Sequence, residues 1–187
     1  MKVTLYSSSF NTAIGCIYYI WGNYFQDDMQ KTGAAVNQEI KIYFLSNTPD
    51  SYNSFIERLG GIKAPEYKIA DKSSRTVESE VKAYLEKKLK DFSMVPVFLF
   101  SSAIKQKVWE AAMKIPYGKV ASYKELAESA GFSGAWRAAG TALGKNPIML
   151  VIPCHRVIKS DGSIGHFGGG EKVKEFLLGL EQPDRDE

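Results

Sequence analysis

Residues 148–158 read IMLVIPCHRVI. Cys154 follows an apolar run and a proline, and His155 stands beside it. A thiolate is a soft, strong nucleophile and an imidazole can take its proton, so the pair suits attack on an electrophilic carbon. By itself, a thiol closing an apolar strand-like segment is more often a core residue than a catalyst. In an extended chain, adjacent side chains point to opposite sides, so a direct Cys154–His155 pair is not guaranteed. Asn146 precedes Pro147, a turn position from which an Asn side chain bonds backbone groups. Residues 163–170, SIGHFGGG, form a glycine-rich loop without the Walker pattern, as suited to a flexible pocket wall as to phosphate binding. The only histidines are His155 and His166, and the only cysteines are Cys16 and Cys154. So dispersed, they argue against a four-ligand zinc site and against a disulfide framework; no metal or cofactor is expected, and a reducing compartment fits.

The chain that must position these groups has 187 residues, 44% of them apolar, enough for one large or two small domains. No apolar run approaches the ~20 residues of a membrane span. The start, MKVTLYSSSF, lacks an apolar signal core, so no secretion is expected. Net charge is only +3, but residues 101–160 carry nine Lys/Arg against three Asp/Glu, and residues 161–187 carry three against seven. The positive charge that could meet an anionic polymer therefore surrounds Cys154. An ordinary solvated face is the competing reading.

Residues 3–7, 14–21 and 40–45 are predicted strands, and residues 22–38 a turn and loop. Thr48-Pro49 opens a helix with Tyr52, Phe55, Ile56 and Leu59 on one face, closed by Gly60-Gly61. Residues 63–75 are loop or irregular strand, and residues 77–90 an amphipathic helix. Together these predict an α+β domain over 1–91, with Cys16 as core packing. Residues 92–100 are an extended connector. The second half, 92–187, is predicted mostly helical. Ile104, Val108, Trp109, Ala112 and Ile115 make a helical stripe. Ser122 and Glu125 form a capping box, opening a helix that runs to Ala130. A second helix, from near Ser133 to Leu143, is small-sided, with Gly134, Ala135, Ala138, Ala139, Gly140 and Ala142; Arg137 is its long cationic exception. Two short helices joined by a glycine-containing turn are a helix-turn-helix candidate or an ordinary helix hairpin. Asp161-Gly162 marks a hairpin-type turn. The last helix, 171–181, is expected to turn Val173, Phe176, Leu177 and Leu180 inward.

Over residues 100–181 the chain resembles the O6-alkylguanine-DNA alkyltransferases, repair proteins that remove alkyl groups from guanine O6. The resemblance rests on Val108-Trp109, Ile115-Pro116-Tyr117-Gly118, Ser122-Tyr123, Glu125-Leu126-Ala127, Arg137-Ala138, Gly144 with Asn146-Pro147, Ile152 to Ile158, Gly169-Gly170, and Leu177-Leu178 with Glu181. It implies a small ribonuclease H-like N-terminal α/β domain and a winged-helix-like C-terminal domain. It implies irreversible, stoichiometric transfer of an alkyl group from O6-alkylguanine, with O4-alkylthymine as a further candidate, to Cys154 after base flipping. It makes His155 the base, Glu181 its orienter, Asn146 the brace of Cys154 and Tyr123 a donor to guanine N3. The carbonyls of Cys154 and Val157 would meet the guanine amino group, and Phe167 and Gly168 would close over the base. Arg137 would fill the vacated stack, and Ser122, Ala135, Ala138, Gly140 and Lys145 would meet DNA in the minor groove. The partner is double-stranded DNA; a monomer in the cytoplasm, or the nucleus of a eukaryote, is expected.

This chain departs from the family at Phe167 and Gly168, where Tyr and Ser are frequent, so inhibitor and alkyl preference are open. Three rival readings remain: a non-catalytic lesion binder, which replaces the nucleophile that Cys154 retains; a DNA-binding regulator sensing alkylation through Cys154; and a Cys-His hydrolase, which needs an oxyanion hole.

Overall fold

A computed structural model describes residues 2–22, 40–61 and 66–183. Residues 1–97 and 98–187 form two compact units. In the first unit, β1 (Lys2–Thr12), β2 (Gly15–Gly22) and β3 (Lys41–Ser46) pair antiparallel in succession. β1 runs five residues beyond the predicted strand because polar Ser8, Ser9 and Asn11 find ladder partners in Tyr19, Tyr18 and Cys16. Most of the predicted loop after Gly22 lies outside the described residues. α1 (Pro49–Gly60) leads towards β4 (Glu66–Asp71), which lies parallel to β1. α2 (Arg75–Leu85) is capped by Ser74, whose hydroxyl accepts from Val77 N–H, and ends earlier than predicted, with Lys87 at φ 60°. β5 (Val95–Pro96) closes the order β4-β1-β2-β3-β5.

Neighbouring side chains on β2 point to opposite faces. Tyr18 packs on Tyr52 of α1, whereas the Tyr19 hydroxyl donates to Glu78 of α2 at 2.9 Å. The two helices therefore cover opposite faces of the sheet. Leu5, Ile17, Ile20, Ile42 and Leu45 are buried between these layers. Cys16, expected in this core, is half-buried at the hairpin end opposite Asn11. The connector begins as an edge strand: Val95 N–H donates to Ile40 O and Val97 N–H to Ile42 O, both at 2.9 Å. Residues 92–97 thus belong with the first unit rather than the second. Pro96 is tolerated there because an edge strand leaves one side of its backbone unpaired.

The second unit is built on α3 (Ala103–Met113), α4 (Tyr123–Ser129), α5 (Trp136–Leu143) and α6 (Glu171–Leu180). Trp109 is buried in α3, and its indole N–H donates to Ala142 O of α5 at 2.9 Å. Ile104, predicted in the α3 stripe, is 51% exposed instead. The Ser122–Glu125 capping box forms in both directions, at 3.1 and 2.7 Å. α5 starts at Trp136, three residues later than predicted, because Gly134 sits at φ 79° and Ala135 is its non-helical cap. Two parallel two-residue strands, β6 (Ala121–Ser122) and β7 (Val157–Ile158), join the start of α4 to the segment after Cys154. Among the described residues no helix is long and apolar enough to cross a membrane.

Candidate active site

The apolar run before Cys154 is a compact turn rather than a strand. Val151 N–H donates to Met149 O and Ile152 N–H to Ile148 O, both at 3.0 Å. Leu150, fully buried, takes φ 72°, a left-handed conformation that costs a branched residue of order 1–3 kcal/mol and persists only when its surroundings hold it. Cys154, His155 and Arg156 then form one 3-10 turn. The turn, with Val157 N–H returning to Cys154 O, replaces the extended geometry expected from sequence.

Asn146 ties this turn in place through three bonds. Its amide nitrogen donates to Ile152 O and to Cys154 Sγ, both at 2.9 Å, and its Oδ1 accepts from Ile148 N–H at 2.9 Å. The thiol is half-buried. Burial pushes it above the ordinary cysteine range, opposed by the Asn146 donor and by the charge of Lys174. The amide dipole is thus aimed at the atom that would become negative.

His155 is fully buried, with Nε2 2.9 Å from Glu181 Oε1. Glu181, at the C-cap of α6, is 3% exposed and so is not a solvated helix-end acid. Arg156 completes the cluster, although the sequence reading gave it no role. Its Nε lies 3.1 and 3.0 Å from the two Glu181 oxygens, Nη2 lies 2.9 Å from Oε1, and Nη1 donates to Ile115 O at 2.7 Å. A carboxylate accepting a guanidinium fork is ionised and can only accept. The Nε2 of His155 therefore carries the proton and Nδ1 the lone pair. Burial holds His155 below the ordinary imidazole value even though Glu181 pulls it up. The ring is accordingly neutral near pH 7 and available as a base.

Glu181 is itself fixed from the loop before α4. Gly118 N–H donates to Oε2 at 3.0 Å, and the Tyr117 hydroxyl donates to Leu180 O at 3.3 Å. Gly118 lies at φ 73°, and a Cβ there would meet Glu181 O at 2.9 Å. Only glycine satisfies both the turn and that approach.

The inward face of α6 is not the predicted apolar stripe. Phe176 is 41% exposed, while Lys174 is fully buried beside Leu177. Lys174 Nζ donates to Val157 O at 2.6 Å and lies 5.9 Å from the Tyr123 ring centre. Burial lowers Lys174 to about 8. Its spacing with Glu181 is two helical turns, a signal that points to one face but is hidden when only apolar residues are assigned inward.

Cys154 opens on a cavity of about 170 Å³ lined by Tyr123, Gly140, Leu143, Gly144, His166, Phe167 and Gly168. Tyr123 is pushed up by burial, then by Cys154, so its hydroxyl keeps its proton. It bonds His166 O at 3.4 Å, with Gly165 closely packed against it. Phe167 is buried and Gly168 exposed at the rim. Val157 is buried, and its carbonyl retains a second lone pair beside the Lys174 bond. The remaining predicted residues lie on α4 and α5 or their ends. Arg137, Ala138 and Lys145 are exposed, and Ser122, Ala135 and Gly140 half-exposed. Of these, Gly140 reaches the Cys154 cavity. Among the described residues no cluster of three or more metal-binding side chains occurs.

Cys154, held by an amide beside a buried imidazole–carboxylate pair, opens on a cavity lined by Tyr123, an arrangement of a kind suited to nucleophilic transfer to a thiol. Residues 103–183 match the family described as the DNA-binding domain of 6-O-methylguanine DNA methyltransferase. A Methanosarcina barkeri methylated-DNA–protein-cysteine methyltransferase is 42% identical over 108 residues, 58% of this chain and 68% of that protein. A Mycobacterium leprae protein of the same name is 42% identical over 104 residues, 56% of this chain and 62% of that protein. The crystal structure of Mycobacterium tuberculosis O6-methylguanine methyltransferase superposes with a TM-score of 0.73 at 26% identity, covering 97% of this chain and 96% of that one. A structure of M. tuberculosis OGT in complex with DNA gives 0.70 at 26% identity over 96% and 93% of the two chains. The chain belongs to the methylated-DNA–protein-cysteine methyltransferase family.

Proposed function

We propose that the protein repairs DNA by direct reversal, accepting the alkyl group of O6-alkylguanine on Cys154. The observation that carries this reading is the cavity into which Sγ opens, with the His155–Glu181 pair built into the same turn. The thiol proton passes, through a water, to Nδ1 of His155. Sγ forms a bond to the alkyl carbon as the carbon–O6 bond breaks, its electron pair leaving on guanine. Tyr123, still protonated, donates to N3 and eases departure of the guanine anion. Asn146 opposes the cost of negative charge on sulfur. The carbonyls of Cys154 and Val157 accept from the guanine amino group, and Phe167 and Gly168 close over the base. The product is a thioether, whose carbon–sulfur bond neither a neighbouring amine nor an imidazole cleaves, so each molecule acts once.

The base must leave the duplex to reach this cavity, at a cost of roughly a few kcal/mol. We assign α4 and α5 to a helix-turn-helix of winged-helix type that enters the minor groove, where readout is nearly blind to sequence. Arg137 on α5 enters the stack, while Ser122, Ala135, Ala138, Gly140 and Lys145 meet the backbone. Small side chains on α5 support a close approach. The first unit acts as a ribonuclease H-like structural domain, supported by three antiparallel strands followed by a parallel β4. The protein works as a monomer in the cytoplasm, its two free cysteines suiting a reducing compartment.

Cys154→Ala tests the reading: it abolishes transfer from a duplex containing O6-methylguanine and leaves DNA binding within about threefold. Transfer retained by that variant overturns the assignment of the acceptor.

A further inference from the structure

A second cavity, about 400 Å³, shares Tyr123 with the cavity at Cys154 and is lined by Tyr123, Lys124, Trp136, Lys159 and Ser160. Trp136 is the first residue of α5 and is 47% exposed, whereas Trp21 and Trp109 are buried. A large indole left in water at this place is not core packing. Its neighbour Arg137 lies 6.0 Å from its ring centre, so the ring also carries a cation on one side. Lys124 and Lys159, both exposed, come from α4 and from the turn after β7. Two segments far apart in sequence thus bring a cation each to one aromatic wall. An aromatic face with flanking ammonium groups matches a nucleotide: a base stacks on the ring and its phosphate meets the cations.

We propose that Trp136, Lys124 and Lys159 form a second nucleotide pocket, which takes the DNA nucleotide next to the one held at Cys154. This rests on the reading of the protein as a DNA alkyltransferase. Tyr123 lines both cavities, so a strand that fills both sets two neighbouring nucleotides against that ring. Occupancy of the second pocket therefore favours extrusion of the damaged base, and the pocket assists transfer from DNA without touching the reacting atoms. Stacking does not depend on base identity, which suits lesions in any sequence.

The test compares wild type with Trp136→Ala, Trp136→Phe and the double variant Lys124→Ser/Lys159→Ser. Iodide quenching of tryptophan emission reads Trp136, because the other two indoles are buried. Undamaged duplex and an O6-methylguanine duplex are expected to shield Trp136 from iodide, the damaged one more strongly. Trp136→Ala is expected to slow transfer from DNA about tenfold or more, with Trp136→Phe recovering most of it. Alkylation of Cys154 by iodoacetamide, which needs no DNA, should stay within twofold in both. The lysine variant should lower the slope of log affinity against log salt by about one to two. Unchanged iodide access in the presence of DNA, or a Trp136→Ala loss equal in both reactions, overturns the pocket. Absence of methyl transfer in wild type would instead strike at the alkyltransferase reading, while iodide protection by DNA still decides the pocket.

Discussion

His155 Nε2 and Glu181 Oε1 lie 2.9 Å apart, with side chains 0% and 2% exposed, and Arg156 shares the same carboxylate. One buried anion therefore serves two cationic or polar partners from adjacent positions of the active-site turn. It fixes the histidine tautomer and holds the turn to α6.

Glu181→Gln keeps the shape but removes the charge. It leaves Arg156 buried without its counter-ion, for which a loss of about 3–5 kcal/mol is expected, together with at least a tenfold slower transfer. Urea denaturation and single-turnover transfer on the same preparation check both. A variant as stable as wild type would mean the cluster is not held by this charge.

Gly118→Ala places a methyl against Glu181 O and forces alanine to a left-handed φ. Gly131→Ala, at φ 83° with nothing within 4 Å, carries the φ cost alone. Gly131→Ala should lose about 1–2 kcal/mol, and Gly118→Ala clearly more, with slower transfer in the latter only. Equal denaturation midpoints would rule out the close approach.

Asn146→Ala removes three bonds around the nucleophile, two of them to backbone, and is expected to cost about 2–3 kcal/mol. Asn146→Asp keeps the acceptor for Ile148 but sets a negative charge beside Sγ. Its thiol should titrate higher than in Asn146→Ala, measured by the pH dependence of iodoacetamide labelling at Cys154.

Much of this arrangement is legible in the sequence, and the rest is hidden for identifiable physical reasons. The Ser122–Glu125 box reads directly because capping is local. Cys154, His155, Asn146 and Glu181 stood in a recognisable order, but Glu181 alone looked like a helix-end acid. Lys174 was missed because a lysine in an amphipathic helix is assigned outward by default, and Phe176 was placed inward for the converse reason. Leu150 could not be read at all: a left-handed leucine is imposed by its surroundings, and nothing in its type announces it. Residues 92–100 read as an extended connector, and β5 is hidden within it because only Val95 and Pro96 pair, at a sheet edge that the sequence does not reveal.

Lys174 donates to Val157 O and places a cation near the thiol. Lys174→Met removes both, so Cys154 should rise further from the ordinary thiol range, and iodoacetamide labelling at about pH 8 should slow several-fold. Labelling of Cys16, followed on its own peptide, serves as the control. Equal Cys154 rates in the two proteins would remove Lys174 from the site's electrostatics.

Stability should fall in acid through His155. Its folded pKa lies below the unfolded value of ~6.5, so as pH drops past ~6.5 the unfolded chain takes up the proton first and is favoured. Above ~6.5 the two states bind equally and this contribution is flat. Urea midpoints across this range should slope in wild type and slope less in His155→Gln. Transfer should slow over the lower part of the same range, as the ring loses its lone pair.

The central claim is that Cys154 receives the alkyl group once and keeps it. The direct measurement mixes a duplex carrying one O6-methylguanine, labelled on the methyl, with limiting protein, and follows the label by peptide mass. The account predicts a plateau at one methyl per protein on the peptide containing Cys154. Continued turnover beyond one equivalent, or label on another residue, would contradict it.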